Sequence, residues 1–380
     1  FFNDTATTEI YTLSLHDALP ICISVGLLFL DLTEAFYRIL RELTMGGQPT
    51  DELLAFVLHR LQLPPDAIHQ LHGLLDERTA LQQAGLSFTA RNCIRAIHQN
   101  THFWLQGQAD LVATYLGTRP GDSFADLIFG FTWSVVLRKL QGYMEEHGMA
   151  VQLPARQDPP FFADTGAQQD HGEAKTYLGP TWMDDLCLCL QGESPSQLER
   201  NLGPAIGYLL DLCYSHLMTP NLSKGKTELL LSFRGVGSRK HTIQHYGPNA
   251  SGYYDVLCEH QAQRITVVKA YRHLGGQLHH TSDQNGEVRI KIATVHQAFN
   301  QHRRLLYHND QVELAKKVEI FNTLVVTKML YGADSWIAQD SRTMRKFETA
   351  VIKLYKRLLR WRHDGHHTSQ IGRASCRERV

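Results

Sequence analysis

The sequence predicts an α+β fold, a mixed sheet backed by helices and followed by an all-helical region, and three observations carry that expectation. The run ISVGLLFLDL, Ile23 to Leu32, is apolar on both faces and ends on a carboxylate, as a central buried strand leading to a sheet edge does. The run TWMDDLCLCL, Thr181 to Leu190, places apolar residues on both sides of a two-carboxylate centre, a strand, turn and strand pattern. Beyond about Gly286 the pattern is helical and proline is absent.

Bulk composition bounds the rest. A chain of 380 residues that is 43% hydrophobic and 20% charged is ordinary globular material with room for more than one domain. Its 38 basic residues are balanced by 38 acidic ones, so any contact with a polyanion must rest on local patches. The seven cysteines are scattered, and Cys187 with Cys189 lacks a second pair at zinc-ligand spacing; all are expected to be reduced thiols of an intracellular protein. No stretch approaches the roughly 20 apolar residues that span a bilayer, so no membrane insertion is expected.

The two ends are expected to be processing scars. DNA that encodes the last ten residues, IGRASCRERV, has a reverse complement that, read one base on, encodes TLSLHDALP, Thr12 to Pro20. Translated sequencing adapter explains such an inverted match, so residues 1–21 and 371–380 are set aside as non-native. The remaining segment divides into a sheet-bearing region, 22–280, with a loop insertion near 151–181, and a basic helical region, 281–370.

Taken in order, a helix is expected after Asp31, and a helix pair over Leu53 to Leu74, interrupted at Pro64 and Pro65. The nearly continuous apolar character from Asp122 to Leu140 predicts a helix buried on several sides. Residues Val151 to Thr181 are rich in Pro, Gln, Asp and Gly and read as a flexible insertion. Ser194, Pro195 and Gln197 make a capping-box start for a helix that presents Leu198, Leu202, Ile206, Leu209 and Cys213. Strands are expected at Glu228 to Phe233, at Gln263 to Lys269 and around Leu274. From Arg289 to Arg362 basic residues outnumber acidic ones by more than two to one.

Three carboxylates stand out. Two-metal phosphoryl transfer needs two or three of them held on rigid neighbouring strands, because hard divalent ions take oxygen ligands. Asp31, Asp184 and Asp185 meet that demand if their strands are neighbours in one sheet, although an acidic pair in a turn is more often a solvated hairpin tip. The adjacent pairs His279–His280 and His366–His367 are expected to be surface histidines, since neighbours on a strand point to opposite faces.

The motifs in sequence resemble those of reverse transcriptases, of non-LTR retrotransposon type. FLDLTEAFYRI (Phe29 to Ile39) is similar to the first palm motif, GTRPGDSFADLIFGF (Gly117 to Phe131) to the second, and WMDD (Trp182 to Asp185) to the aspartate pair. NLSKGKTELLL (Asn221 to Leu231) resembles the following lysine motif, YRHLGGQL (Tyr271 to Leu278) the primer grip, and LVVTKMLYGADSW (Leu324 to Trp336) the thumb. The resemblance covers nearly all of Cys22 to Arg362 and implies a right-hand architecture of palm and helical thumb. The implied activity is RNA-directed DNA synthesis: deoxynucleotides added to a primer on an RNA or DNA template, with two Mg2+ ions or Mn2+ in their place.

By the same resemblance Asp31 and Asp184 would bind both ions and Asp185 would assist. Phe36 would exclude the ribose 2′-hydroxyl, although it is equally a core ring. Gly121 would let backbone approach the dNTP, and Lys226 would lie near the departing pyrophosphate, although it is equally a solvated charge in a polar turn. Leu274, Gly275 and Gly276 would position the primer end, although a plain Gly-Gly turn fits the same residues. Arg303, Arg304, Lys316, Lys317, Lys353, Lys356, Arg357 and Arg360 would track the template–primer backbone, or form a solvated helix face. The chain departs from the family at Pro120, where glutamine is usual, and at Met183, where alanine is usual. Only Cys22 to Leu28 precede the first motif, so the fingers are expected to be missing and the fragment to be a poor enzyme alone. The alternatives are a non-catalytic relic that at most binds nucleic acid, and a group II intron-like enzyme.

Overall fold

The computed structural model describes residues 23–61, 65–104, 106–107, 110–118, 124–153, 175–259, 261–332 and 341–359. The expected adapter ends, Pro120, Gly121, Asp122, Ser123, Arg360, His366 and His367 lie outside them. Among the described residues the chain divides into two compact units, 23–271 and 272–359.

The first unit opens with β1 (Ser24–Leu30), β2 (Leu32–Thr33), α1 (Ala35–Arg38), α2 (Arg41–Met45), α3 (Asp51–Leu61), α4 (Pro65–Asp76), α5 (Ala80–Gln83), α6 (Phe88–His98), β3 (Thr101–Trp104) and β4 (Leu111–Thr114). It continues with α7 (Ala125–Glu146), β5 (Val151–Leu153), β6 (Lys175–Tyr177), β7 (Thr181–Trp182), β8 (Asp185–Gly192), α8 (Pro195–Ser215) and β9 (Thr219–Pro220). It closes with β10 (Glu228–Ser232), α9 (Ser238–Tyr246), β11 (Tyr253–Leu257) and β12 (Ala262–Val267). Six strands form one sheet in the order β11-β12-β10-β1-β8-β7. Pairing is antiparallel except between β10 and β12, so the sheet is mixed and the fold is α+β.

Strand β1 sits near the middle because it has no polar face to leave in water; all seven of its residues are buried. Its even-numbered side packs on helices: Leu28 and Leu30 share a core with Phe129, Trp133, Val136 and Leu140 of α7 and Leu198, Leu202, Ile206 and Leu209 of α8. A Cβ on Gly26 would stand 2.9 Å from Leu202, so glycine is what lets α8 approach so closely. The apolar set read from the sequence of α8 is fully buried.

Several expectations are corrected. The segment after Asp31 is two short helices, α1 and α2, rather than one. The amides of Thr118 and Gly117 bond the carbonyls of Phe36 (2.7 Å) and Ile39 (2.8 Å), taking acceptors a continuous helix would have used. Arg41 fastens the same region, donating to the carbonyls of His98, Thr114, Leu116 and Gly117. The N-cap of α7 is Phe124, with no side-chain cap. The two ends of the expected insertion, β5 and β6, pair as antiparallel strands. At α8 only half of the capping box forms: Ser194 accepts from the Gln197 amide, but the Gln197 side chain takes the amide of Glu193 instead of the cap residue's own.

The second unit begins within the hairpin β13 (Ala270–His273) and β14 (Gly276–His279), so Leu274 lies in a turn rather than in a strand. Then follow α10 (Asn285–His302), a π-helical turn (Arg303–Tyr307), α11 (Leu314–Phe321), a second π-helical turn (Asn322–Val326), α12 (Thr327–Leu330) and α13 (Ser341–Leu358). Phe299, Tyr307, Phe321, Val325 and Leu354 form its separate core.

Candidate active site

Register brings the carboxylates together. Strands β1 and β8 pair with Leu30 opposite Leu186 and Phe29 opposite Cys187, so one step further sets Asp31 opposite Asp185. Side chains alternate along a strand, which puts Asp31 and Asp185 on the side of Phe29 and Cys187, away from the helices α7 and α8. Met183 and Asp184 form the two-residue connection between Trp182 and Asp185, which pair as the last rung of β7 and β8. Met183 holds φ 54°, a left-handed value that a methionine rarely adopts. The Trp133 indole bonds the Thr181 hydroxyl at 3.2 Å and ties this hairpin to α7.

Electrostatics mark the same place. Burial, then the charge of Asp31, raises the Asp184 pKa above its ordinary value. Burial, then Asp184 and Asp31, raises that of Asp185. Lys226 offsets part of this charge: its Nζ lies 3.1 Å from Asp31 Oδ1, with half of its side chain exposed. Lys226, expected near a departing pyrophosphate or as a solvated charge, is found paired with Asp31.

Three residues that sequence reasoning missed complete the setting. Thr227 Oγ1 accepts from the Asp31 amide at 3.2 Å, and the Asn221 amide donates to the Asp31 carbonyl at 2.8 Å. The ring of Tyr271 stacks on Phe29 with centroids 4.0 Å apart, and its hydroxyl donates to the Lys226 carbonyl. Its pKa is pushed up to about 12 by burial, then by Asp185, Glu228 and Asp31. Threonine and tyrosine inside the lysine and primer-grip motifs were the available signal.

Phe36 packs its ring on Phe129 at 4.9 Å, as a core residue does, while its carbonyl receives the Thr118 amide. In the second unit Leu274 and Gly275 form the hairpin turn and Gly276 opens β14. The basic residues separate. Lys317 is buried. Lys316 pairs with Glu319, and Arg357 lies over the Phe299 ring and bonds Asn300. Lys353 instead lines a groove of about 690 Å3 with His296, Arg345, Lys346 and Thr349, and among the described residues no carboxylate is part of its lining. Burial, Arg357 and Lys353 hold His296 below its usual pKa.

Elsewhere, His279 and His280 correct the expectation of opposite faces: β14 ends at His279, alternation stops, and the rings approach to 4.7 Å. His241 and His245, one turn apart on α9, both place a ring nitrogen 2.8 Å from Glu199 Oε1. Cys187 and Cys189 are buried in β8, where the Cys189 thiol donates to the Cys187 carbonyl at 3.7 Å. Among the described residues no helix is long and apolar enough to cross a membrane.

The donor set at Asp31, Asp184 and Asp185 is all oxygen, the choice of hard divalent ions. Among the described residues no three His, Cys, Asp or Glu side chains are gathered tightly enough to enclose an ion by themselves. Mg2+ is usually held by one or two carboxylates with waters completing its shell, the donor type that these three side chains offer. No family model matches the chain, and no curated protein matches it.

Proposed function

We propose that the chain carries the catalytic core of a retroelement reverse transcriptase, an RNA-directed DNA polymerase that extends a primer on an RNA or DNA template with dNTPs. The observation that carries the reading is the pairing of Leu30 with Leu186, whose chain neighbours Asp31 and Asp185 therefore lie at the same end of β1 and β8, beside the Asp184 turn. Two bound Mg2+ or Mn2+ ions would supply charge neutralisation at the attacking and leaving oxygens.

What the chain itself contributes is position and charge. Asp31 and Asp184, with Asp185 assisting, offer oxygen ligands fixed on a buried sheet, so little ordering remains to be done when the substrate arrives. Lys226, half exposed and paired with Asp31, is a mobile positive charge or proton donor for the leaving pyrophosphate. Phe36 would exclude the 2′-hydroxyl, and Gly121 would admit the nucleotide to the backbone. The His296–Lys353 groove, with Arg345 and Lys346, would offer the template–primer backbone a basic surface. The right-hand description, with the first unit as palm and the second as thumb, belongs to the same reading.

The test is Asp184→Asn. Titration with Mn2+, followed by electron paramagnetic resonance, should show binding by the parent chain that is weakened at least tenfold in the variant. Primer extension on an RNA template should fall by about a thousandfold or more, on the scale of losing a principal electrostatic contact. A variant that retains both properties refutes the assignment.

A further inference from the structure

A second cluster of reactive side chains lies away from the three aspartates, where α9 meets the first turn of α8. Asp185 opens β8 and Gly192 closes it, so α8 begins beyond the far end of that strand, about 23 Å from Asp185. On α9, His241 and His245 stand one turn apart, and the ring of Phe233 packs on both, with centroids at 5.5 and 5.6 Å. That packing holds the two imidazoles against Glu199 of α8.

His241 bridges two different groups. Its buried Nδ1 lies 2.8 Å from Glu199 Oε1, and its Nε2 lies 3.4 Å from the hydroxyl of Ser196. A proton on Nδ1, beside the carboxylate, leaves the lone pair of Nε2 facing the serine, the tautomer that a general base requires. His245 bonds the same Glu199 oxygen at 2.8 Å, and the Tyr254 hydroxyl donates to the Glu199 carbonyl at 3.1 Å, so side chain and backbone are both held. Burial by itself would raise the Glu199 pKa, but the two imidazoles outweigh it and keep the group below its ordinary value, hence ionised. Neither contact of His241 is an ideal hydrogen bond, one being long and the other out of line; catalytic contacts of this kind commonly tighten only around a substrate.

Ser196 supplies the remaining parts. It is exposed, and it is the second residue of α8, where amides have no acceptor within the helix. Pro195 has no N–H, the Gln197 amide is taken by Ser194 Oγ at 3.2 Å, and the Leu198 amide closes the first helical bond on the Ser194 carbonyl. Within that first turn the Ser196 amide is therefore available to a developing oxyanion. Ser196, Glu199 and His245 line a cavity of about 460 Å3 together with Arg200, Tyr254 and Asp255. A long alkyl chain there would cover the charges of Arg200 and Asp255 without pairing them, so the cavity suits a short acyl group.

We propose that Ser196, His241 and Glu199 form an acyl-transfer site that hydrolyses small carboxylic esters. Ser196 Oγ attacks the ester carbonyl carbon while its proton passes to His241 Nε2. The tetrahedral adduct then expels the alcohol, which takes that proton, and the acyl group stays on Ser196. Water next gives a proton to Nε2 and its oxygen to the acyl carbon, and the proton returns to Oγ as the carboxylic acid leaves. Glu199 touches no reacting atom and is a positioning residue. The proposal does not depend on the polymerase reading.

The experiment treats the full chain with a fluorophosphonate probe and maps the adduct by mass spectrometry. Label is expected on Ser196, absent in Ser196→Ala, and slower by about a hundredfold in His241→Gln, the scale of losing a general base. Hydrolysis of p-nitrophenyl acetate should fall in the same two variants and should exceed that of p-nitrophenyl octanoate. Ser196 is exposed, so Ser196→Ala should keep the parent's Tm. Glu199→Gln gives a readout that a merely structural carboxylate would not move. The ring acts when neutral and the carboxylate favours its protonated form, so removing that charge should lower the midpoint of rate against pH by about one unit. An unlabelled Ser196 overturns the proposal, because any ester cleavage would then belong to surface imidazoles. Equal labelling of His241→Gln overturns it by removing the base, an unmoved midpoint in Glu199→Gln overturns the positioning role, and a preference for octanoate overturns the substrate class.

Discussion

Two hairpin connections in this protein solve the same backbone problem in opposite ways. Each has two residues, and each forces a bulky side chain to positive φ: Met183 at 54° between β7 and β8, and Leu274 at 45° between β13 and β14. At the second, Tyr331, Lys291 and Glu287 close around the turn and leave Gly275 no room for a side chain. At the first, Met183 projects outward, 41% exposed, and the neighbouring groups are carboxylates that repel one another. One turn is braced; the other stores unfavourable charge and backbone strain, as functional sites commonly do. The difference teaches that strain alone identifies neither, and that the neighbours decide what it is for.

The contrast breaks most visibly at Gly275. Gly275→Ala meets two penalties together, a φ of 87° and a contact of 2.8 Å with the Tyr331 ring. Left-handed alanine and a clash with packed aromatic atoms together should cost about 2 kcal/mol, read by chemical denaturation. A neutral result would show that the tyrosine moves freely and does not brace the turn. Met183→Gly should act in the other direction. It relieves a left-handed methionine with few contacts to lose, against the larger entropy glycine gives up on folding, for a net gain of about 0.5 kcal/mol. Destabilisation at that position would mean that Met183 packs for a purpose and that the two turns are more alike than their surroundings suggest.

How much of this was legible in the sequence depends on whether a feature carries its own cause. Strands β1 and β8 were readable because an uninterrupted apolar run with no polar face demands the middle of a sheet. Helix α8 was readable because Leu198, Leu202, Ile206, Leu209 and Cys213 recur at one turn's spacing. The aspartates were readable as a set from their motifs, and pairing register then aligned two of them. What escaped depends on partners far along the chain. Lys226 meets Asp31 across 195 residues. The break between α1 and α2 is imposed by amides from Gly117 and Thr118. Composition likewise marked the second unit as basic, yet a count of charges does not say which side of a helix faces inward, and Lys317 proves to be buried. The Tyr331 brace was invisible for the same reason, since its three side chains come from two separate helical segments.

The smallest expected effect tests the claim that the first turn stores charge. Asp185 has its pKa raised, first by burial and then by Asp184 and Asp31, so the folded state holds that proton more tightly than the unfolded chain does. The associated stability is complete below the unfolded carboxylate value of about 3.9 and is lost as pH rises through the higher folded value. At pH 7 to 8 the ionised group therefore works against folding. Asp185→Asn removes that cost and should raise Tm by about 0.5 °C near neutrality, a small figure because the group is partly solvated and screened. The gain should shrink as pH approaches 4, where the parent carboxyl is itself becoming neutral. Mg2+ should raise the parent's Tm at neutral pH by the same relief of repulsion, and raise that of the variant less. Equal Mg2+ responses would separate the ion from this carboxylate, whereas a Tm for Asp185→Asn below the parent's at pH 8 would mean that the charge at this turn is held by favourable contacts, and that the two hairpins are both braced.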